Sequence, residues 1–571
     1  MSRANLRNDI RNAAALFVLA VAINLIGLDA LQFFRHTEAD RSLISWEMYE
    51  SGDYLVPHLI HSPILTKPPL FYWLVAASIG IFGIASEWTT RFPTVIVSGL
   101  FVALQYLALR VIGAGVAHAA LGAIALLTGS AFFVLATCAE IDLTFGFASA
   151  AALYAAYLGL QRASAPYLLG AFFLAGIAFL VKGPPIVFFL GAAIATFYLH
   201  QRYIARSTQA FRPAAFFATS FFGVIIFAAL AALWLVPIAA RFGWGELANQ
   251  FQVEVLERVI GEARLSRGPL FYLGAAALGF LPWTPFTIQG IAWLLRRDPR
   301  MKAHPLGSSF AVFNMLTLTA GLIMLSLAAG KSSRYLFPLY VCGINLALVP
   351  MTHLPLAARA PQILRALLYL TGVSAPLILI ASPFIPIDGV TRAALVCSAA
   401  ILACALGTIA LAAQRRHYPG LLAGMLFLTG AARYGEAHVY APHRHLKRSV
   451  LTAVAEIDGL LPPNVKLYQI ELFERWITFY LKHRGRETYR VTPDAVLNPL
   501  TTNNRVYLLL SAEEESWRLE QLRAADPTLE ILATPNAGRT PLILVSAAPQ
   551  ALSSINPTNH FPTVPSNQAD S

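Results

Sequence analysis

Three carboxylates, Glu38, Asp40 and Glu47, come just ahead of a polar loop, Ser51 to Trp73, in which Lys67 stands before Pro68 and Pro69. Two more share the run Ala139-Glu140-Ile141-Asp142. Cations recur at Lys182 before Gly183-Pro184-Pro185, at Lys331 and Arg334 beside Tyr335, and at Arg258, Arg264 and Arg267 after Glu254. Carboxylates can take a proton from a nucleophile, and guanidinium forks grip phosphate oxygens through paired hydrogen bonds. The combination suits chemistry on an anionic lipid at a bilayer surface. Pro68 drives Lys67 toward extended backbone, and the two prolines pre-set the first turn of a helix through Phe71, Tyr72 and Trp73. The free N–H groups of that turn and the ammonium would then converge on an anion. Plainer readings stand beside these: Lys67 as a snorkelling anchor, Glu38 as half of a local pair with Arg41, and Glu140 with Asp142 as ordinary helix termination near water.

The elements that must position these groups are apolar helices. Apolar residues make up 57% of the chain and charged ones 13%, against about 25% charged in a soluble domain. Runs long enough to cross a bilayer recur at 12–31, 92–110, 116–136, 144–161, 166–181, 184–200, 214–240, 270–295, 308–329, 335–352, 364–385, 390–413 and 419–437. That predicts a polytopic α-helical membrane protein with about thirteen transmembrane helices. Lys and Arg gather on the cytoplasmic side of such proteins. With Arg3, Arg7 and Arg11 inside, Arg110, Arg162, residues 200–212 and 296–302, Arg359, Arg365, Arg415 and Arg416 fall inside too. The carboxylates and Lys67 then lie outside. The net charge of +12 reads as an orientation signal, and nucleic-acid binding as the weaker alternative.

The first apolar run is followed by many others and lacks a small-residue cleavage site, so it reads as a retained span. Cys138, Cys342, Cys397 and Cys404 lie in or beside apolar segments, as buried small hydrophobes and neither a disulfide framework nor a metal site. No Gly-rich phosphate loop opens a helix in the way a nucleotide fold requires.

In the first extracytoplasmic loop, 32–91, Ala39, Leu43, Trp46 and Glu50 share a helical face, which predicts helices lying in the membrane interface. From residue 443 charge density rises. Strand-like runs at Val465–Ile470, Arg475–Phe479, Arg505–Leu510 and Leu542–Val545 alternate with helical stretches near His445–Leu461 and Glu513–Ala525. This predicts a transmembrane part over 1–442, a soluble α/β domain over 443–548, and a disordered tail over 549–571.

Thr37-Glu38-Ala39, Met48, Ser51-Gly52-Asp53-Tyr54, Val56-Pro57-His58-Leu59 and Lys67-Pro68-Pro69-Leu70-Phe71-Tyr72-Trp73 follow one another in the chain. After them come Arg91-Phe92-Pro93, Asp142, Lys182-Gly183-Pro184, Glu254 with Arg258, and Arg334-Tyr335-Leu336-Phe337-Pro338. This order resembles the GT-C-fold glycosyltransferases that use polyprenyl-phosphate sugars, specifically the aminoarabinose (4-amino-4-deoxy-L-arabinose) lipid A transferase-like group, related to protein O-mannosyltransferases. The resemblance covers roughly the first 350 residues; the remainder matches in layout only.

The resemblance implies an integral membrane glycosyltransferase of the bacterial inner membrane. It would move a sugar from undecaprenyl or another polyprenyl phosphate to lipid A, another envelope glycan or protein. Glu38, Asp40 and Asp142 would be the catalytic carboxylates, and Lys67 and Arg258 would grip the carrier phosphate, with Arg334, Tyr335, Lys331, Arg264 and Arg267 assisting. His58, Tyr72, Arg91, Lys182 and Glu254 would line the substrate pocket. The pattern departs from the family at Thr37 and Asp40, where the family has Asp and Arg, and at Thr66 and Ser266. Side chains at the last two positions look like metal ligands in aminoarabinose transferases, so no cofactor is expected and a metal at that spot is disfavoured. The expected partners are the lipid-linked donor, an acceptor and membrane lipid, with no nucleic acid and a monomeric protein. The rival reading is a flippase or transporter of polyprenyl-linked sugars, which predicts charged or broken helices near the midplane. A scaffold or sensor working through its exported domain is the third.

Overall fold

The computed structural model describes residues 3–33, 36–207, 211–252, 268–298, 306–353, 380–381, 384, 386–414, 418–463, 465–469, 476–491, 505–512, 516–537, 540–549 and 551. Glu254, Arg258, Arg264, Ser266 and Arg267, the expected span at 364–385 for all but three residues, and nearly all of the expected tail lie outside them.

An α-helical bundle carries the chain as far as Gly435. It opens with α1 (Arg3–Leu25), α2 (His36–Ser51), α3 (Leu70–Phe82), α4 (Glu87–Ile112), α5 (Val116–Leu127), α6 (Ser130–Leu135), α7 (Ile141–Gln161), α8 (Ala165–Lys182) and α9 (Pro185–Leu199). Eight described helices are long and apolar enough to cross a membrane, or nine if the pair Phe271–Gly279 and Thr284–Leu295, bent by 114°, counts as one span. The expected thirteen are not reached among the described residues. The run 116–136 is split by Thr128-Gly129 into α5 and α6, and α9 stops at 15 residues in a widened turn, His200–Ile204.

Local chemistry explains where the important helices begin and end. Ser86 and Thr89 form a reciprocal cap, Thr89 N–H donating to the Ser86 hydroxyl at 3.2 Å and Ser86 N–H to the Thr89 hydroxyl at 2.8 Å. That cap fixes the start of α4 one turn before Arg91. As the proline pair predicts, α3 starts directly after Pro69. Gly183, at φ +88°, ends α8 just past Lys182, a left-handed conformation that glycine adopts without strain. α7 and α8 are antiparallel neighbours joined by a short turn, of 21 and 18 residues, so their far ends lie level.

The loop ahead of α3 holds a two-residue hairpin, β1 (His58–Leu59) against β2 (Ser62–Pro63). Its turn residues Ile60 and His61 have φ of 53° and 60°, unusual for a β-branched side chain. Glu47 offsets the strain by accepting from Ile60 N–H at 2.8 Å and His61 N–H at 3.1 Å. α2 packs into protein on its apolar stripe: Ala39, Leu43, Ile44 and Met48 are buried.

Beyond the bundle a mixed sheet runs in the order β4-β3-β5-β8-β6, with β7 pairing β8. The strands are β3 (Leu467–Gln469), β4 (Thr488–Arg490), β5 (Val506–Ser511), β6 (Glu530–Ala533), β7 (Asn536–Ala537) and β8 (Thr540–Ala547). β3 is parallel to β4 and β5, and β8 is antiparallel to β5 and β6. Three of the four expected strand runs fall on β3, β5 and β8. The fourth, Arg475–Phe479, is corrected: Trp476–His483 is a helix. Ile477, Tyr480 and Leu481 are buried at i, i+3 and i+4 spacing, and that periodicity prevails over the strand preference of the individual residues.

Candidate active site

The polar groups meet at the end of the bundle where α4 and α7 begin and α8 ends. The Lys182 ammonium contacts Asp142 Oδ1, and lies 5.0 Å from the ring centroid of Tyr335 and 5.5 Å from that of Phe145. Asp142 occupies the first turn of α7 and Lys182 the last turn of α8, each carrying the charge that complements its helix dipole. Pro68 packs beside Gly183: a Cβ added to that glycine would lie 3.8 Å from Pro68 Cδ. The half-buried Lys67 is therefore carried on a loop that rests on the Lys182 turn.

A second group sits alongside. Arg334 donates to Glu140 Oε1 at 2.9 Å and to the Thr37 hydroxyl at 3.0 Å, while that hydroxyl donates to Glu140. Arg41 donates to the Tyr72 hydroxyl at 2.6 Å. Burial by itself would lower the Arg41 pKa, yet the Tyr72 hydroxyl it donates to and the carboxylates Glu140, Asp40 and Asp142 hold it above the usual arginine value. Of these groups Tyr72, on α3, is in direct contact with the guanidinium; the carboxylates on α2, on α7 and in the turn before α7 act on it through their charge.

Glu38 and Arg91 form a strut below this site. Glu38 is fully buried, and its carboxylate accepts from Arg91 Nε at 2.7 Å, Arg91 Nη2 at 3.3 Å and Ala139 N–H at 3.0 Å. Arg91 Nη1 donates to the carbonyls of Leu28 at 2.9 Å and Leu31 at 2.7 Å. The Arg41 partner weighed for Glu38 is replaced by one 53 positions away in sequence, because α2 turns Glu38 into the bundle and Arg41 toward Tyr72.

The remaining expected groups are spread more widely. Lys331 donates to Ala328 C=O at 2.8 Å, at the end of the helix Gly307–Leu327. His58 sits in β1 opposite Pro63. Glu47, grouped at first with the chemical carboxylates, braces the hairpin turn. Thr37, Arg41 and Glu140 stand in the site although none of them is among the expected site residues. The available signal was the i, i+4 spacing of Thr37 and Arg41, which puts both on one helical face. Thr66 is half-buried and supplies a neutral hydroxyl, and among the described residues no group of three or more His, Cys, Asp or Glu could hold a metal ion.

Residues 66–234 match the family described as dolichyl-phosphate-mannose-protein mannosyltransferase. The chain is 26% identical over 348 residues to the undecaprenyl phosphate-alpha-4-amino-4-deoxy-L-arabinose arabinosyl transferase of Serratia proteamaculans, covering 59% of this chain and 58% of that one. It is 26% identical over 352 residues to arabinosyl transferase 1 of the same description from Sodalis glossinidius, covering 58% and 57%. The chain thus matches less than two thirds of the length of these curated relatives. In fold it is similar to ArnT from Cupriavidus metallidurans bound to undecaprenyl phosphate, with a TM-score of 0.68, 19% identity, and coverage of 93% of this chain and 97% of that one. The apo form of the same protein gives a TM-score of 0.68 at 18% identity, covering 96% and 99%. In sequence the chain is thus similar to aminoarabinose transferases and, over residues 66–234, to the mannosyltransferase family, and its fold is the ArnT-like, GT-C-type fold.

Proposed function

We propose that the protein transfers a sugar from a polyprenyl phosphate to an acceptor on the extracytoplasmic face of the inner membrane. The observation that carries the reading is the convergence of Asp142–Lys182, Glu140–Arg334 and Arg41–Tyr72 at one end of the bundle, beside the Lys67 loop. An acceptor oxygen attacks the anomeric carbon, the bond from that carbon to the carrier phosphate breaks with its electron pair leaving on the phosphate oxygen, and the configuration inverts. Lys67, with Arg258, holds the carrier phosphate, Arg334 and Lys182 add positive charge, and the Tyr335 hydroxyl can donate a hydrogen bond to it.

Three N–H donors already occupy Glu38, which leaves Asp40 and Asp142 to take the acceptor proton. General-base action of this kind contributes about 10²- to 10⁴-fold, and fixed charges in a water-poor site contribute more. Loop charges favour a cytoplasmic N-terminus, with the site and the sheet outside. Protein is the acceptor that the matched family's description names, and lipid A or another envelope glycan is the acceptor class that the sequence resemblance implies.

The test is sugar transfer by the purified protein in liposomes, from an undecaprenyl-phosphate sugar to extracted envelope acceptors, read by mass spectrometry. Transfer by the unmodified protein and its loss in Asp142→Asn support the reading. Movement of intact donor across the bilayer without transfer would favour the transporter instead.

A further inference from the structure

The eight-residue helix Trp476–His483, between β3 and β4, reaches out of the C-terminal sheet and lies on α2. Its contacts fall at both ends of that helix. At the approach to α2, the Tyr480 hydroxyl accepts from Phe33 N–H at 2.9 Å and donates to Glu87 Oε1 at 2.6 Å. The Phe33 ring meets Phe479 edge-on with centroids 4.8 Å apart, and the Arg91 guanidinium lies 5.2 Å from the centre of the same ring. At the far end, Trp46 packs against Phe479 at 5.4 Å and His483 at 4.9 Å, and Lys482 pairs with Glu50 at 2.6 Å.

We infer that Tyr480 and Lys482 are positioning residues, which hold α2 so that Thr37, Asp40 and Arg41 reach the site formed by α3, α7 and α8. One buried hydroxyl joins the backbone just ahead of α2 to the first residue of α4, the helix that carries Arg91. The strut between Arg91 and Glu38 is thus braced from outside the bundle. Other contacts between the C-terminal part and the start of the loop point the same way: Gln32 N–H donates to His445 Nε2 at 3.2 Å, and Val450 N–H donates to Gln32 Oε1 at 3.3 Å. The helix Trp476–His483 meets the loop ahead of α2, α2 itself and the start of α4, whereas Lys182 on the donor side meets Asp142, Tyr335 and Phe145. In this reading the C-terminal sheet is a brace for the acceptor side.

The kinetic part of the test rests on the proposed transfer reaction, and the structural part does not. In the full-length protein in liposomes, Tyr480→Phe and Lys482→Glu should speed amide hydrogen exchange across residues 36–51 by about tenfold or more, since each leaves local opening less opposed. Exchange across α7 and α8 should not change. Unchanged protection of α2 in both variants would overturn the inference, whatever the protein's activity. If the unmodified protein transfers sugar, both variants should lose about 5- to 30-fold in kcat while KM for the polyprenyl-phosphate donor holds. The double exchange Lys482→Glu with Glu50→Lys should restore turnover and protection together. A rise in donor KM with kcat unchanged, or failure of the double exchange to restore what Lys482→Glu loses, would also overturn it.

Discussion

The Lys182 ammonium closes on the Asp142 carboxylate across the open end of an antiparallel helix pair. The pairing follows from chain geometry: a tight turn at 162–164 sets α7 and α8 side by side, and their similar lengths bring residues 40 positions apart to one level. Both side chains are largely buried, at 12% and 7% exposed. Holding charges there in protein is costly unless each partner satisfies the other. A pair so placed, beside Tyr335 and the Lys67 loop, is well suited to acting on a phosphate-linked substrate.

Asp142→Asn and Lys182→Met should each lower transfer by at least about 100-fold in kcat/KM. Exchanging the two residues should not rescue the loss, because the reversed charges would oppose both helix dipoles. Initial rates with the lipid-linked donor in liposomes measure this directly.

Glu38 should behave as a structural group. Removing one partner of a buried ion pair costs about 3–5 kcal/mol, so Glu38→Ala and Arg91→Ala should lower the unfolding temperature in detergent sharply. Glu38→Gln keeps the shape and much of the hydrogen bonding, and should lose less stability while retaining measurable turnover. Thermal unfolding followed by intrinsic fluorescence, paired with a transfer assay, separates the two.

Glu47→Ala strips the acceptor from the Ile60 and His61 N–H groups at a turn already in left-handed backbone. Leaving such donors unpaired costs about 1–3 kcal/mol. The hairpin should open, and limited proteolysis should cut near residues 58–63 in the variant well before it does so in the unmodified protein.

Asp458 accepts from Arg486 at 2.6 Å and Arg484 at 3.1 Å. The hydrogen bond from Arg486, helped by Arg484, outweighs partial burial and holds its carboxyl below the usual aspartate value. The sign follows: the stability it contributes is present above the unfolded-state value of about 3.9 and is lost as pH falls through the lower folded value. Below about pH 4 the turn after Trp476–His483 should loosen. Asp458→Asn should be less stable at pH 7 and show a flatter acid dependence over this range. Thermal unfolding between pH 3 and 7 compares the two.

Several features were legible from residue order alone. Membrane character follows from apolar run length, because a bilayer imposes a minimum span whatever the neighbours do. The start of α3 follows from Pro68 and Pro69, because proline acts on its own dihedral and on that of the residue before it. The helical stretches expected near His445–Leu461 and Glu513–Ala525 and the strands β3, β5 and β8 were equally local, although the first stretch is divided at Ser449 into Ala441–Arg448 and Val450–Leu460. Asp142, Lys182 and Arg334 could be named in advance because charge at the end of an apolar segment is expensive and calls for a reason, whereas Tyr335 came only with the family resemblance.

Which charge meets which was settled by packing alone. Glu38 has Arg41 one turn away, and helical spacing offers that pair first. The fold instead gives Glu38 to Arg91 and points Arg41 at Tyr72, since α2 is pressed between α3 and the helix Trp476–His483 and has only one side free for the site. Residues 475–479 looked like a strand until the helical period of their buried side chains was set by Phe33 and Trp46, which lie more than 400 positions earlier. Local rules act through dihedrals and run lengths, which the order of residues contains. Partnership across tens or hundreds of positions depends on which faces the whole bundle buries, and that exists only once the chain has folded.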